Sequence, residues 1–174
     1  MARPALEKGV RGEPVPEFEI TDSELMEPRA CFVTLKLKKS GQLRGCMGSF
    51  DPEGPLFGEV TRLVLAAALE DPRFPPVQPG ELDEIQIEIS VLRPPERIRS
   101  AQEIELGRHG IIVQQGRRHG AFLPEVAKEM GWGAEEFVRQ CALEKAGLPE
   151  PALAEAELYR FETEKIREGE IQEI

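Results

Sequence analysis

Ile85-Gln86-Ile87-Glu88-Ile89-Ser90-Val91 alternates strictly between apolar and polar side chains. That period of two predicts a β-strand with one face buried under its isoleucines and one polar face carrying Glu88 and Ser90. Pro94 and Pro95 end it. Upstream, Cys31-Phe32-Val33-Thr34-Leu35-Lys36-Leu37-Lys38 reads as a second strand, with Cys31, Val33, Leu35 and Leu37 on one face and Phe32, Thr34 and Lys36 on the other. Lys39-Ser40-Gly41-Gln42 supplies a turn, and Leu43 to Phe50 returns as the partner strand of a hairpin. Pro55 then opens a helix whose Leu56, Val60, Leu63, Val64, Ala67 and Ala68 form one apolar stripe. It is expected to stop near Asp71, because Pro72 restricts the residue before it.

Further out the signals are shorter. Residues 3–11 read as a short helix broken by Gly9 and Gly12, and 12–28 as a long polar connection. Ile111-Ile112-Val113 and Ala121-Phe122-Leu123 are strand candidates around a turn at Gly116. Pro124 suits the first turn of a helix to Met130. A further helix follows Gly133 and ends near Gly147. Leu158 to Thr163 reads as the last strand, and the charged tail to Ile174 as a segment that frays. The order of elements predicts an α+β fold, a mixed or antiparallel sheet with helices packed on it.

The chain has 174 residues, which suits one domain or one main domain with a small lobe. A net charge of −10, from 22 basic and 32 acidic residues, argues against nucleic acid or an anionic membrane as partner. No apolar run approaches the ~20 residues needed to span a bilayer, and the N-terminus lacks the apolar segment of a signal peptide. The expectation is a cytoplasmic protein. Cys31, Cys46 and Cys141 are too few and too scattered for a disulfide framework, and reduced thiols are expected. No Cys/His pair has metal-ligand spacing, so neither a metal nor a cofactor is expected. The chain contains no asparagine and is rich in Glu, Arg and Pro. Thermal adaptation and a biased genome composition both account for that.

Leu43-Arg44-Gly45-Cys46-Met47-Gly48 is the segment with the most chemical content. In an extended chain Arg44 and Cys46 share a face. Glycine in a strand is costly unless a backbone or a ligand approaches closely. A guanidinium near a thiol favours the thiolate, the nucleophilic form. The inert alternative is that Cys46 is a small buried apolar residue and the glycines serve a bulge.

The hexapeptide resembles the signature of the AMMECR domain family, whose bacterial and archaeal members are often called AmmeMemoRadiSam system protein A. Met47 stands where the family usually has Ile. Other pieces match in order: Val33-Thr34-Leu35, Asp71-Pro72-Arg73-Phe74-Pro75-Pro76, Ile87-Glu88-Ile89-Ser90-Val91-Leu92, His109-Gly110-Ile111-Ile112-Val113, Phe122-Leu123-Pro124, Trp132, Cys141 and Lys145-Ala146-Gly147-Leu148. The resemblance covers roughly residues 5–165 of a single domain spanning 1–174. It implies a larger α+β lobe and a smaller lobe, with the hexapeptide at a cleft between them. It assigns no reaction. Members occur beside, or fused to, a Memo-type protein and a radical SAM enzyme, which implies those partners.

Carried over residue by residue, the candidate site is Arg44, Gly45, Cys46 and Gly48, joined by Asp71, Arg73, Glu88 and Ser90. Pro72, Pro75 and Pro76 stiffen the loop that presents Arg73. Two fixed arginines near one cysteine suit a carboxylate or phosphate ligand. The alternative is that Arg73 is a structural partner of Asp71 and that Glu88 and Ser90 are solvated. Two functions follow. One is a non-catalytic accessory domain that binds a small anion or a partner at the hexapeptide. The other is an enzyme or modification factor with Cys46 as nucleophile and Arg44 and Arg73 orienting an anionic substrate. The first is preferred because no general base is evident. A third, weaker reading makes the glycine-rich strand purely structural.

Overall fold

A computed structural model describes residues 1–170 of the chain. Helix α1 (Ala2–Val10) runs straight through Gly9 and stops before Gly12. Gly9 was expected to break this helix; instead it lets a neighbour approach, since a Cβ there would lie 2.2 Å from Leu65 Cδ2. The polar connection that follows holds one short helix, α2 (Ser23–Met26), capped by the Asp22 side chain on Glu24 N–H. Strands β1 (Cys31–Leu37) and β2 (Leu43–Ser49) form the expected hairpin. Helix α3 (Leu56–Leu69) begins after Pro55, and a 3-10 turn at Pro79–Glu84 leads into β3 (Ile85–Leu92).

The second half opens with a short strand, β4 (Glu96–Ile98), and a 3-10 turn at Ala101–Glu103. Strands β5 (Gly110–Gln115) and β6 (Arg118–Phe122) pair around Gly116, and helices α4 (Pro124–Met130) and α5 (Ala134–Gln140) follow. A π-helical turn at Cys141–Lys145 continues α5, then come α6 (Glu150–Leu153), β7 (Glu157–Phe161) and β8 (Thr163–Arg167).

The fold is α+β, and among the described residues eight strands divide into two four-stranded antiparallel sheets, ordered β2-β1-β3-β8 and β4-β7-β5-β6. The chain separates into two compact units, Met1–Val91 with the chain from Lys165 onward, and Leu92–Glu164. In the first unit α1 and α3 cover the apolar sheet face, burying Leu6, Val33, Leu35, Leu63, Val64 and Ile87. Each such side chain contributes about 1.5–3 kcal/mol by leaving water. In the second unit Ile111, Val113, Phe137, Cys141 and Leu148 form a separate core.

The end of the chain departs from the sequence expectation. The single strand read at Leu158–Thr163 is two strands, interrupted at Glu162. The segment expected to fray supplies β8, because Lys165 and Arg167 both meet Glu88. Residues 171–174 lie outside the described residues. Among the described residues no helix is long and apolar enough to cross a membrane.

Candidate functional site

Strand β2 lies at the edge of its sheet. Its pairing with β1 slips between Leu35 and Lys36, so that Gly45 faces Leu35 and Leu43 faces Lys36, with Arg44 as the extra residue of a bulge. Gly45 lies against α3: a Cβ there would sit 2.1 Å from the Ala67 carbonyl oxygen. Gly48 lies under the Phe32 ring, which a Cβ would approach to 2.0 Å. Both glycines thus have a packing cause, backbone contact in one case and ring contact in the other.

Cys46 pairs with Thr34, and Thr34 with Glu88 on the next strand, so three polar residues form a row across β2, β1 and β3. Thr34 Oγ1 lies 3.4 Å from Cys46 Sγ. The backbone of Cys46 points the other way, off the sheet edge. Its N–H donates to Asp71 Oδ2 at 2.9 Å, and its carbonyl accepts from Arg73 Nη2 at 3.3 Å. Asp71 Oδ1 accepts from Arg73 N at 3.0 Å and Nε at 2.9 Å, and Oδ2 accepts from Nη2 at 2.7 Å. Asp71 is buried, its side chain 2% exposed, while the Arg73 side chain is 55% exposed. The Arg73 guanidinium also lies over the Phe74 ring at 5.6 Å. Its hydrogen bonds, with those from the two backbone N–H groups, hold the Asp71 carboxyl far below the ordinary carboxylate range despite burial. Arg73 is pushed up in turn, by Asp71 first, with the Cys46 thiol contributing.

Arg44 has a different set of partners. Nε and Nη2 donate to the two carboxylate oxygens of Glu81 at 2.8 and 3.1 Å, and Nη1 to the Pro75 carbonyl at 2.9 Å. Arg44 is buried and all three of its nitrogens are engaged. Glu81 also accepts from Gln78 N–H at 2.7 Å, which closes the first turn of the 3-10 segment. Its carboxyl is lowered chiefly by the Arg44 hydrogen bonds.

Glu88 is buried, which works to raise its carboxyl, but the cations around it outweigh that and the net shift is downward. Arg167 Nε donates to Oε2 at 2.8 Å and Lys36 Nζ at 3.3 Å, and Lys165 Nζ lies 3.9 Å from Oε1. Ser90 is buried in the adjoining row, opposite Phe32, which itself faces Gly48. Neither Glu88 nor Ser90 is solvated.

The structure therefore brings Cys46, Asp71 and Arg73 into direct contact, with Glu88 one strand beyond through Thr34. It commits Arg44 to a loop and Gly45 to a helix. Three contributors were not singled out from the sequence. Thr34 lies on the polar face of β1, as its alternation implies, and the register of the hairpin sets it opposite Cys46. Lys36 follows from the same alternation. Glu81 is 37 residues from Arg44, and its only local sign is the Gln78-to-Glu81 spacing of a capping box. The other two thiols, Cys31 and Cys141, are buried, and burial pushes each up to about 12. Cys46 is half-buried. Among the described residues, no three His, Cys, Asp or Glu side chains are grouped to hold a metal ion.

A family model described as AMMECR1 matches residues 1–166. A protein of Methanopyrus kandleri is 41% identical across 95% of this chain and 82% of its own length. One from Thermococcus gammatolerans is 42% identical across 97% of this chain and 87% of its own. The crystal structure of an uncharacterised protein from Pyrococcus horikoshii is similar with a TM-score of 0.80 and 36% identity, covering 97% of this chain and 88% of that one.

Proposed function

The chain belongs to the AMMECR1 family, and from that premise we propose that it is a binding domain for a small anionic ligand at the Cys46 edge of the first sheet. The observation that carries this reading is the pose of Arg73. A buried carboxylate grips its Nε and Nη2, yet more than half of the side chain is exposed. Nη1 has no protein partner among the described residues. A guanidinium fixed in this way has little conformational entropy left to lose on binding, which favours capture of a carboxylate or phosphate. The groups around Cys46, at its sulfur and its backbone, also support binding over catalysis. Thr34 is a hydroxyl, Arg73 a permanent cation, and Asp71 a carboxylate too strongly stabilised to accept a proton near neutral pH. An accessory role beside a Memo-type protein and a radical SAM enzyme belongs to the same reading and rests on the family resemblance.

The test is thermal unfolding with inorganic phosphate and malonate at constant ionic strength. Saturable stabilisation is expected, reaching about 2.7 kcal/mol at a hundredfold excess over Kd. Arg73→Ala should abolish it, and Arg73→Lys should retain part. No saturable shift with either anion, or an undiminished shift in Arg73→Ala, overturns the proposal.

A second reading makes Cys46 a nucleophile, favoured by its half-exposed thiol beside Arg73. Cys46 will react faster than Cys31 and Cys141 under either reading, since those two are buried. The discriminating quantity is its iodoacetamide rate at neutral pH against free cysteine. A rate tenfold above free cysteine supports the nucleophile; a rate at or below it removes that reading.

A further inference from the structure

The second unit contains a cavity of about 120 Å³ lined in part by Arg93, Glu96, His109, Arg160, Phe161 and Glu162. His109 is nine-tenths buried, its side chain 8% exposed. Its Nδ1 accepts the Glu105 N–H at 3.0 Å, which leaves the proton of the neutral ring on Nε2. Nε2 lies 3.8 Å from Glu162 Oε1, too far for a hydrogen bond. That oxygen is already taken by Arg108, at 3.1 Å from Nε and 3.0 Å from Nη2. Arg160 is likewise engaged, by Glu96 Oε2 at 3.1 and 3.2 Å and by the Glu103 carbonyl at 2.8 Å. The guanidinium of Arg93 has no protein partner among the described residues, although its backbone N–H is bonded to the Glu162 carbonyl. Two strong donors without an acceptor, one on a buried side chain and one on an exposed side chain, thus line one cavity.

Charge and size narrow what fits. Arg108 is paired with Glu105 and Glu162, and Arg160 with Glu96, which leaves Arg93 as the cation without a carboxylate partner among the described residues. At ~30 Å³ of liquid volume per water molecule, the cavity corresponds to about four waters. An acid of two or three carbons fits that space. A planar monoanion suits the arginine fork, whereas a dianion would crowd the two carboxylates. Phe161 offers an apolar wall for a short alkyl tail. Burial first, then Arg160 and Arg108, hold His109 below its ordinary pKa against the opposing pull of Glu162 and Glu105, which favours the neutral ring.

We propose that this cavity binds a small carboxylate, with Arg93 as its bidentate partner and the Nε2–H of His109 as a second donor. The site stands on residues of the second unit alone, so variants at Arg73 leave it unchanged. The test is ¹⁵N-histidine NMR of the full chain, titrated with acetate and propionate against chloride at constant ionic strength. The chain has two histidines, and His119→Gln assigns the spectrum. A saturable shift of the His109 Nε2 resonance is expected with both carboxylates. Arg93→Ala, which removes an exposed side chain, should weaken binding about tenfold or more and leave the amide spectrum otherwise in place. Absence of a saturable shift, reproduction of it by chloride, or an unchanged midpoint in Arg93→Ala overturns the proposal. Inorganic phosphate binding as tightly as acetate overturns the assignment to carboxylates.

Discussion

Two arginine–carboxylate pairs flank Gly45 and Cys46, and they are mirror images in burial. In one, Arg44 is the inner partner and Glu81 the outer, their side chains 11% and 33% exposed. In the other, Asp71 is the inner partner and Arg73 the outer, at 2% and 55%. Both pairs use two nitrogens of the arginine on one carboxylate. The first fastens a loop to β2, because every nitrogen of its cation is turned onto protein acceptors. The second holds its cation out to solvent in a fixed pose. Chemically equal pairs acquire opposite roles from which member lies inside.

The largest expected effect comes from removing the outer partner of either pair. Arg73→Ala strands the Asp71 carboxylate and Glu81→Ala strands the Arg44 guanidinium, and each should cost about 3–5 kcal/mol in denaturant unfolding. A cost below 1 kcal/mol for either would show that its inner charge is not truly sequestered and would break the comparison. Gly45→Ala comes next. Its Cβ meets a helix carbonyl that cannot swing away, so β2 must move off α3, at about 1–3 kcal/mol. Gly48→Ala meets only the movable Phe32 ring and should cost less.

The pH dependence is subtler. The folded-state pKa of Asp71 is depressed, so its contribution is fully present above the unfolded value of about 3.9 and is lost as pH falls through the lower folded value. The stability gap between the parent and Arg73→Ala should therefore be widest above about pH 5 and narrow below about pH 4. A gap that widens on acidification would assign the effect to groups other than Asp71. The smallest effect is expected from lysine swaps, about 1–2 kcal/mol for Arg44→Lys and less than 1 kcal/mol for Arg73→Lys, because only the buried fork has no water to replace its lost donors.

What the sequence reveals follows the range of each interaction. The Ile85–Val91 alternation, the β1–β2 hairpin and the stripe of α3 are local patterns, and they are legible. So is the neighbourhood of Cys46, Asp71 and Arg73, through family resemblance and the prolines that stiffen the loop. The partner of Arg44 is not, because Glu81 reaches it from a distant turn, and the glycines that hint at a bulge say nothing of where the Arg44 side chain goes. The strand at Thr163–Arg167 is hidden for a related reason. Its outward cations resemble a solvated tail, and only the buried Glu88 on another strand explains their number. Ser90 and Glu88 carry no local sign of burial, since each sits on the polar side of its alternation.

The grip of Asp71 and Arg73 on the Cys46 backbone has a consequence for association. One oxygen accepts the N–H and one nitrogen donates to the carbonyl of the same residue, as a neighbouring strand would. The pair is a one-residue imitation of a fifth strand on an otherwise open margin. An extended peptide cannot continue the sheet past Cys46 without first displacing a buried carboxylate. Aggregation by edge-to-edge growth is blocked at this point, and whatever docks here is met by side chains rather than by the main chain.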